Sequence, residues 1–398
     1  MHYDFDTRID RTGTGSLKWD RHRKFVPEDA SDFLPLSIAD MEFPTAPAIT
    51  QALTAVVERG VYGYTIPTDS YIAAVSEWML KRHNWTIDSS WIVPFCGVVP
   101  ALYNAIRAIT HPGDKVIVQP PAYPPFYSAI TSAGCQVVRN PLLNDAGHYR
   151  FDFDDLQEKV SDPRVRALIL CNPHNPTGRV WSERELRELG RICIEHDVLV
   201  LSDEIHFDFV FPPSRHQVFA ALSDEFALSS ITFTAPSKTF NLAGLETSNI
   251  IIPNPDLRED YTIAAENALF MPLLNIFGYT ACEAAYRHGE EWLDQLLTYL
   301  EGNARFVADF CARNLPDVVV SPLEGTYLLW LDFRPLGLTS QELERVVTQR
   351  AHLKLDEGYT FGVEGAGFER INLACPRSML KTAMYRLSDA LNSAKSTN

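Results

Sequence analysis

Apolar residues in the middle of the chain form short runs that alternate with helical patterns. Runs of strand length occupy residues 115–119, 165–171, 198–202, 231–234 and 249–252. Between the second and third runs, Ser182 and Glu185 have the spacing of a capping box, which predicts a helix that ends near His196. This alternation predicts an α/β fold with a mainly parallel sheet and helices on both faces.

The C-terminal part of the chain has a different pattern. A helical stretch at residues 290–314 is followed by a strand-like run at 327–332, further helix, a second strand-like run at 370–374 and a terminal helix. This α+β order predicts a second, smaller domain. The N-terminal segment shows no strand–helix alternation of its own, so we assign it to the same domain. We predict a large domain over residues 46–289 and a discontinuous small domain from residues 1–45 and 290–398.

Composition and charge narrow the class of protein. The 398 residues include 46% hydrophobic and 22% charged residues, a globular balance with enough chain for two cores. A net charge of −16 disfavours nucleic acid and anionic lipid as partners. The polar first twenty residues indicate no signal peptide, and no apolar run has membrane-spanning length. The seven scattered cysteines form no CxxC, so we expect reduced thiols in the cytoplasm.

Polar motifs follow three of the predicted strands. They are Asn172–Gly178 (NPHNPTG), Asp203–His206 (DEIH) and Ser237–Thr239 (SKT). In open parallel sheets, ligands bind beyond the carboxyl ends of the strands. We therefore expect the three motifs to converge on one site.

The residue types in these motifs suit a phosphorylated pyridine aldehyde. The Lys238 amine can form an imine with an aldehyde, and the Asp203 carboxylate can keep a pyridine nitrogen protonated. The protonated ring then withdraws electrons from the α-carbon of an amino acid. Asn175 can donate to a ring oxygen. Ser237 and the helix predicted to begin after Gly97 can hold a phosphate.

In their order along the chain, these motifs resemble the fold-type I pyridoxal-5′-phosphate (PLP) enzymes, which have the aspartate-aminotransferase-like fold. Among subgroups, the chain most resembles cystathionine β-lyases and cysteine-S-conjugate β-lyases of the cystalysin type. The remaining matching segments are Lys18–Asp20, Ala39–Pro44, Tyr62–Tyr64, Pro120–Phe126, Glu324–Tyr327, Asp356–Gly358 and Glu369–Leu373. The resemblance implies a PLP cofactor, a small amino-acid substrate and a homodimer.

The resemblance also implies roles for particular side chains. Lys238 would be the Schiff-base lysine and the catalytic base, and Asp203 would pair with the pyridinium nitrogen. The other implied cofactor contacts are Asn175 at the ring oxygen, Tyr123 on the ring, His206 nearby, Gly97, Val98 and Ser237 at the phosphate, and Tyr64 at the phosphate of the neighbouring subunit. Arg370 would bind the substrate carboxylate, and Asp40 would belong to the substrate site. Tyr123 and Tyr64 would also take part in catalysis.

Two positions depart from the aminotransferases of this fold. Those enzymes mostly have tyrosine at the position of His206, whereas histidine also occurs in the β-lyase group. They also have arginine at the position of Glu246, and the glutamate of this chain cannot itself bind phosphate. The leading hypothesis is a carbon–sulfur β-lyase acting on cystathionine or related cysteine S-conjugates.

Several alternatives remain open at this point. The cofactor motifs also fit an aminotransferase, and a PLP-binding regulatory protein would need no catalysis. For single residues, Lys238 could lie on the surface, Asp203 could cap a helix, and Arg370 could form a structural salt bridge. Tyr123 could pack in a turn and Tyr64 at a dimer contact. The C-x-x-H spacing of Cys171 and His174 lacks a second pair, so we expect no metal site.

Overall fold

The computed structural model describes residues 2–28, 30, 32–269 and 274–395. The predicted domains also include residues 1, 29, 31, 270–273 and 396–398, which lie outside the described residues. In the described part, the helices are α1 (Pro47–Arg59), α2 (Asp69–His83), α3 (Val98–Ile109), α4 (Pro124–Ser132), α5 (Phe153–Val160), α6 (Glu183–Glu195), α7 (Asp224–Leu228), α8 (Pro236–Thr239), α9 (Pro255–Leu269), α10 (Ile276–His288), α11 (Glu290–Asn314), α12 (Ser340–Arg345) and α13 (Arg377–Lys395).

The strands of the described residues belong to one large sheet, one four-stranded sheet and two small pairs. They are β1 (Leu34–Pro35), β2 (Ile92–Phe95), β3 (Lys115–Val118), β4 (Gln136–Arg139), β5 (Leu143–Asp145), β6 (His148–Arg150), β7 (Val165–Cys171), β8 (Leu199–Asp203), β9 (Ser230–Thr234), β10 (Ser248–Ile251), β11 (Val319–Val320), β12 (Leu328–Asp332), β13 (Leu353–Lys354), β14 (Asp356–Glu357) and β15 (Phe368–Asn372).

The large sheet has seven strands in the order β2-β10-β9-β8-β7-β3-β4. Neighbours from β9 through β4 are parallel, whereas β10 is antiparallel to both β9 and β2. The predicted mainly parallel sheet is therefore present. Helix α6 begins after Ser182 with the predicted capping box, because each of Ser182 and Glu185 accepts a hydrogen bond from the other's backbone N–H.

The four-stranded sheet is antiparallel, in the order β11-β12-β15-β14. Its strand β15 covers residues 368–372 rather than the predicted 370–374. Asn372 ends the strand because its Oδ1 accepts a hydrogen bond from the backbone N–H of Ala374 at 2.8 Å, which turns the chain out of the ladder. Strand β12 is buried along its whole length, as the apolar run predicted.

Helix α11 connects the two predicted domains through packing. Its first half contributes Trp292, Leu293 and Leu296 to a core shared with α1, α2 and α10. Its second half contributes Val307 and Phe310 to the core beneath the four-stranded sheet. The predicted boundary at residues 289 and 290 coincides with the start of this helix, and the division into two domains stays a prediction. Among the described residues, no helix is long and apolar enough to cross a membrane.

Candidate active site

The carboxyl ends of β7 and β8 and the turn after β9 open onto one cavity of about 470 Å³. The sequence motifs that follow these strands converge there, as parallel strand ends require. Nine of the predicted site residues line this cavity, namely Gly97, Val98, Tyr123, Asn175, Asp203, His206, Ser237, Lys238 and, from β15, Arg370.

Lys238 lies on the single-turn helix α8 with its amine directed into the protein. Its Nζ donates to the carbonyl oxygen of Ala39 at 2.6 Å. Burial lowers the pKa of Lys238 to about 8, although the charge of Asp40 acts in the opposite direction. A substantial fraction of this amine is therefore neutral at slightly alkaline pH. The alternative of an ordinary surface lysine does not describe this side chain.

Asp203 ends β8 with a carboxylate that is 5% exposed. Its Oδ1 accepts a hydrogen bond from the Ile205 backbone N–H at 3.1 Å, and no α-helix begins there, so it is not a helix cap. Burial raises the pKa of Asp203 to about 7, and the neighbouring charge of Glu204 adds to the effect. No salt bridge joins Asp203 to another of the described residues. A cationic group in the cavity would stabilise its ionised form.

Arg370 is held from two sides and keeps one donor free. Its Nη1 donates to Asn175 Oδ1 at 2.7 Å, and its Nη2 donates to the Asp356 carboxylate, which faces it across the β14–β15 pair. Its Nε is buried without a hydrogen-bond partner among the described residues. The guanidinium also packs on the ring of Phe361 at 4.9 Å. The structural salt bridge is thus present, but it leaves a donor for an anionic ligand.

The N-terminus of α3 forms one end of the cavity. Gly97 is its N-cap with a φ of 114°, a left-handed conformation that side chains rarely adopt. The first backbone N–H groups of a helix have no intrahelical acceptor, so those of Val98 and its neighbour are available to an anion. Ser237 and the carboxylate-bearing Glu246 line the same cavity. A phosphate bound at this end would meet backbone and hydroxyl donors but also one acidic side chain.

His206 and Tyr123 complete the polar lining. His206 is buried, and its Nδ1 has no partner among the described residues. Burial lowers the pKa of His206 well below its usual value, with help from the charges of Lys238 and Arg370, so the ring is neutral. Tyr123 is the N-cap residue of α4, and burial raises the pKa of its hydroxyl.

Two predicted site residues do not line the cavity. Asp40 pairs with Arg11 at 2.8 Å and with Lys18 at 3.3 Å, whereas the preceding residues Ile38 and Ala39 line the cavity. Tyr64 is 97% exposed and touches no part of this cavity. Its predicted role in a neighbouring subunit's site stays a prediction.

Other cavity residues had no predicted role. Asp356 accepts from Arg370 and from the backbone N–H of Ile38 at 3.0 Å, and Ile205 and Leu17 add apolar surface. The DEG motif at Asp356 was recognised in the sequence. The hydrogen bond between Asp356 and Arg370 depends on the pairing of β14 with β15, and no local sequence pattern predicts that pairing.

These residues fit the cofactor that the sequence resemblance implies. Within the part of the chain that the structure describes, the cavity offers an amine, a buried carboxylate that no salt bridge engages, an amide and a helix N-terminus, and the Nε of Arg370 and the Nδ1 of His206 have no hydrogen-bond partner. A phosphorylated pyridine aldehyde has groups complementary to each of them. Among the described residues, no group of three or more His, Cys, Asp or Glu side chains could hold a metal ion.

Comparisons with known proteins agree with this arrangement. Cystathionine beta-lyase PatB of Bacillus subtilis is 44% identical over 390 residues, which cover 98% of this chain and 100% of that protein. Cystalysin from Treponema denticola, whose crystal structure contains PLP, has a TM-score of 0.97 and 43% identity, with 99% of this chain and 100% of cystalysin covered. The PLP-bound C-S lyase of Staphylococcus hominis, complexed with L-cycloserine, has a TM-score of 0.91 and 32% identity, with 98% of each chain covered.

The structural matches confirm the predicted aspartate-aminotransferase-like fold class. The model of the family "Aminotransferase class I and II" matches residues 31–387, which are most of the chain. By this match and by its end-to-end similarity to PatB, the chain belongs to the class I and II aminotransferase family.

Proposed function

We propose that the protein is a PLP-dependent carbon–sulfur β-lyase that cleaves L-cystathionine or a related cysteine S-conjugate into a thiol, pyruvate and ammonia. The observation that carries the proposal is the meeting of Lys238, Asp203 and Arg370 in one cavity of a chain that is 44% identical to a cystathionine β-lyase. The cavity supplies the chemistry common to PLP enzymes, and the similarity selects the lyase among them.

Each part of the cofactor would meet a different group of residues. Lys238 would bond the aldehyde carbon, Asp203 would pair with the ring nitrogen, and Asn175 would donate to the ring oxygen. Tyr123 would stack on the ring and His206 would lie beside it. The phosphate would bind at Gly97, Val98 and Ser237. Bound PLP supplies the carbonyl group that takes up the substrate amine and the ring that withdraws electrons from its α-carbon.

The substrate would be oriented and deprotonated by side chains of this chain. Arg370 would bind the α-carboxylate through its free Nε and a neighbouring Nη group, because charge-assisted hydrogen bonds to a guanidinium are strong and directional. The neutral Lys238 amine would remove the α-proton as general base and could return a proton to the departing sulfur. Asp40, whose charge raises the pKa of Lys238, would act on the substrate site through that amine.

We further propose that two chains form a homodimer in the cytoplasm. The segment 57–66 exposes apolar side chains that an interface would cover, namely Val57, Val61, Tyr62, Tyr64 and Ile66. All seven cysteines are free and six are buried, which suits a reducing compartment. In such a dimer Tyr64 would serve the partner's phosphate site.

Turnover of chosen amino acids tests the proposed function. The purified protein is incubated with cystathionine, S-methylcysteine or cysteine, and pyruvate is measured over time. We expect pyruvate from at least one of these substrates and none from Lys238→Ala, which should also lack the visible absorbance of a lysine-bound cofactor. A Lys238→Ala protein that still carries borohydride-trapped PLP would place the cofactor on another lysine.

A further inference from the structure

A buried carboxylate behind the cavity joins three elements of the fold. The Asp208 side chain is fully buried in the turn region that follows β8. It accepts hydrogen bonds from Thr239 Oγ1 at 2.7 Å, from His83 Nε2 at 2.9 Å and from Trp78 Nε1 at 3.3 Å. His83 and Trp78 belong to α2, whereas Thr239 ends α8. One side chain therefore ties α8 to α2.

Thr239 directly follows Lys238 on a helix of only four residues. A single helical turn has almost no stability of its own, because its hydrogen bonds barely offset the ordering of its backbone. Its orientation must come from tertiary contacts. The Thr239 hydroxyl provides one such contact, and the Trp78 ring provides another by packing against Phe240 with centroids 5.7 Å apart.

The hydrogen bonds around Asp208 have a defined direction. Burial lowers the pKa of His83, although the Asp208 carboxylate acts the other way, so the imidazole is neutral. A carboxylate only accepts, which places the His83 proton on Nε2. The imidazole also stacks on Phe207, with centroids 4.2 Å apart and planes at 14°. The ring that orients Asp208 is thus fixed on both its edge and its face.

We propose that Thr239 and Asp208 are positioning residues for Lys238, and that the bond between them fixes the direction in which α8 presents the amine to the cavity. Neither side chain lines the cavity, so both act through Lys238 rather than on the substrate. The inference rests on the proposed function, because it takes Lys238 as the group that bonds the cofactor and moves the α-proton. Misplacing a catalytic group by about 1 Å can cost roughly a hundredfold in rate.

Paired threonine substitutions test this role. Thr239→Val keeps the shape of the side chain and removes the hydroxyl, whereas Thr239→Ser keeps the hydroxyl. Thr232→Val is the matched control, because Thr232 is also buried but its hydroxyl has no partner among the described residues. For each variant, kcat and KM are measured with cystathionine. The rate at which the cofactor-free chain forms its visible lysine–PLP absorbance is measured as well.

We expect Thr239→Val to lower kcat by about tenfold or more and to slow formation of the absorbance, with KM little changed. Thr239→Ser should restore most of both rates, and Thr232→Val should match the wild type. The kcat of Asp208→Asn should lie between those of Thr239→Val and the wild type. Its amide oxygen can still accept a hydrogen bond from Thr239, but its amide nitrogen cannot accept one from His83.

Other outcomes would overturn the proposal. It is wrong if Thr239→Val keeps wild-type kcat and bond formation while only its thermal midpoint falls, since that is a purely structural effect. It is also wrong if Thr239→Ser is as impaired as Thr239→Val. If the wild type forms no lysine–PLP absorbance, the proposed function fails and this inference fails with it. A normal wild type with unaffected variants refutes the positioning role alone.

Discussion

At Lys238, burial and neighbouring charges act on the same amine in opposite directions. Burial lowers its pKa, Asp40 raises it and Arg370 lowers it, and the net pKa is about 8. The amine donates to Ala39 O, the oxygen that also accepts from Tyr327. Because only the neutral amine attacks a carbonyl carbon, the depressed pKa prepares this lysine for covalent bonding near neutral pH.

Cofactor capture should follow this pKa. In cofactor-free protein, the rate of borohydride-trapped PLP attachment should rise with pH as Lys238 loses its proton and level off above about 8. The sign follows from the depressed pKa, since a lower pKa means more neutral amine at a given pH. Lys238→Ala corrects for attachment at surface lysines. A rate that keeps rising to about pH 10, as for an ordinary lysine, would contradict the assignment.

Arg370 should act on substrates through their carboxylate. Arg370→Ala should lower kcat/KM for cystathionine roughly tenfold to a hundredfold, which corresponds to a charge-assisted hydrogen bond of about 1.5–3 kcal/mol. The matched control is S-methylcysteine methyl ester, whose α-carboxylate is masked, and on which the two proteins should differ little. Equal kcat/KM values for cystathionine would show that another cation binds the carboxylate.

Among the elements, α3 has the clearest link to the site because its N-cap is Gly97 with a φ of 114°. Gly97→Ala should lower the free energy of unfolding by about 1–2 kcal/mol through backbone strain. It should also weaken PLP binding by about tenfold or more by displacing the N–H groups of the first turn. Gly113→Ala is the control, since Gly113 has a φ of 97° in the turn between α3 and β3, where a Cβ would meet no atom within 4 Å.

For these variants, PLP affinity is measured by titrating cofactor-free protein, and stability by urea unfolding. Both substitutions should destabilise the fold, and only Gly97→Ala should lose affinity. If Gly97→Ala binds PLP as tightly as Gly113→Ala does, the N-terminus of α3 does not hold the phosphate.

The elements also show what sequence patterns can and cannot predict. The positions of Asp203 and Lys238 could be predicted because parallel strands end at the same edge, so motifs after β8 and β9 must meet. The bond from Arg370 to Asp356 and the bond from Thr239 to Asp208 could not. Each joins residues whose contact depends on the pairing or packing of separate elements, and no periodicity in the chain carries that information.

At the scale of the whole molecule, the fold class followed from strand–helix alternation, but the bridging role of α11 did not. Its apolar positions read as one continuous amphipathic helix, although its two halves enter different cores. Asp40 shows a similar limit. The resemblance of the segment around it implied the substrate site, whereas its carboxylate is engaged by Arg11 and Lys18.

The dimer leads to a prediction about shared sites. Lys238→Ala and Tyr64→Ala proteins should each be nearly inactive. After subunit exchange, a mixed dimer should contain one site with intact Lys238 and intact Tyr64 from different chains. About half of randomly exchanged dimers are mixed, so roughly a quarter of wild-type activity should return. With exchange verified by tagged subunits, no recovery would mean that Tyr64 does not serve the partner's site.

The central claim, elimination at the carbon–sulfur bond, is tested most directly by product stoichiometry. Purified protein loaded with PLP is given a large excess of cystathionine without any 2-oxo acid, and homocysteine and pyruvate are counted against active sites. A β-lyase regenerates its cofactor in every cycle, so the two products should accumulate equally and far beyond the amount of enzyme. An aminotransferase stops when each site has reacted once. If homocysteine and pyruvate do not accumulate, and the 2-oxo acid of cystathionine forms instead at about one equivalent per site and beyond that only when 2-oxoglutarate is added, the proposed function is contradicted.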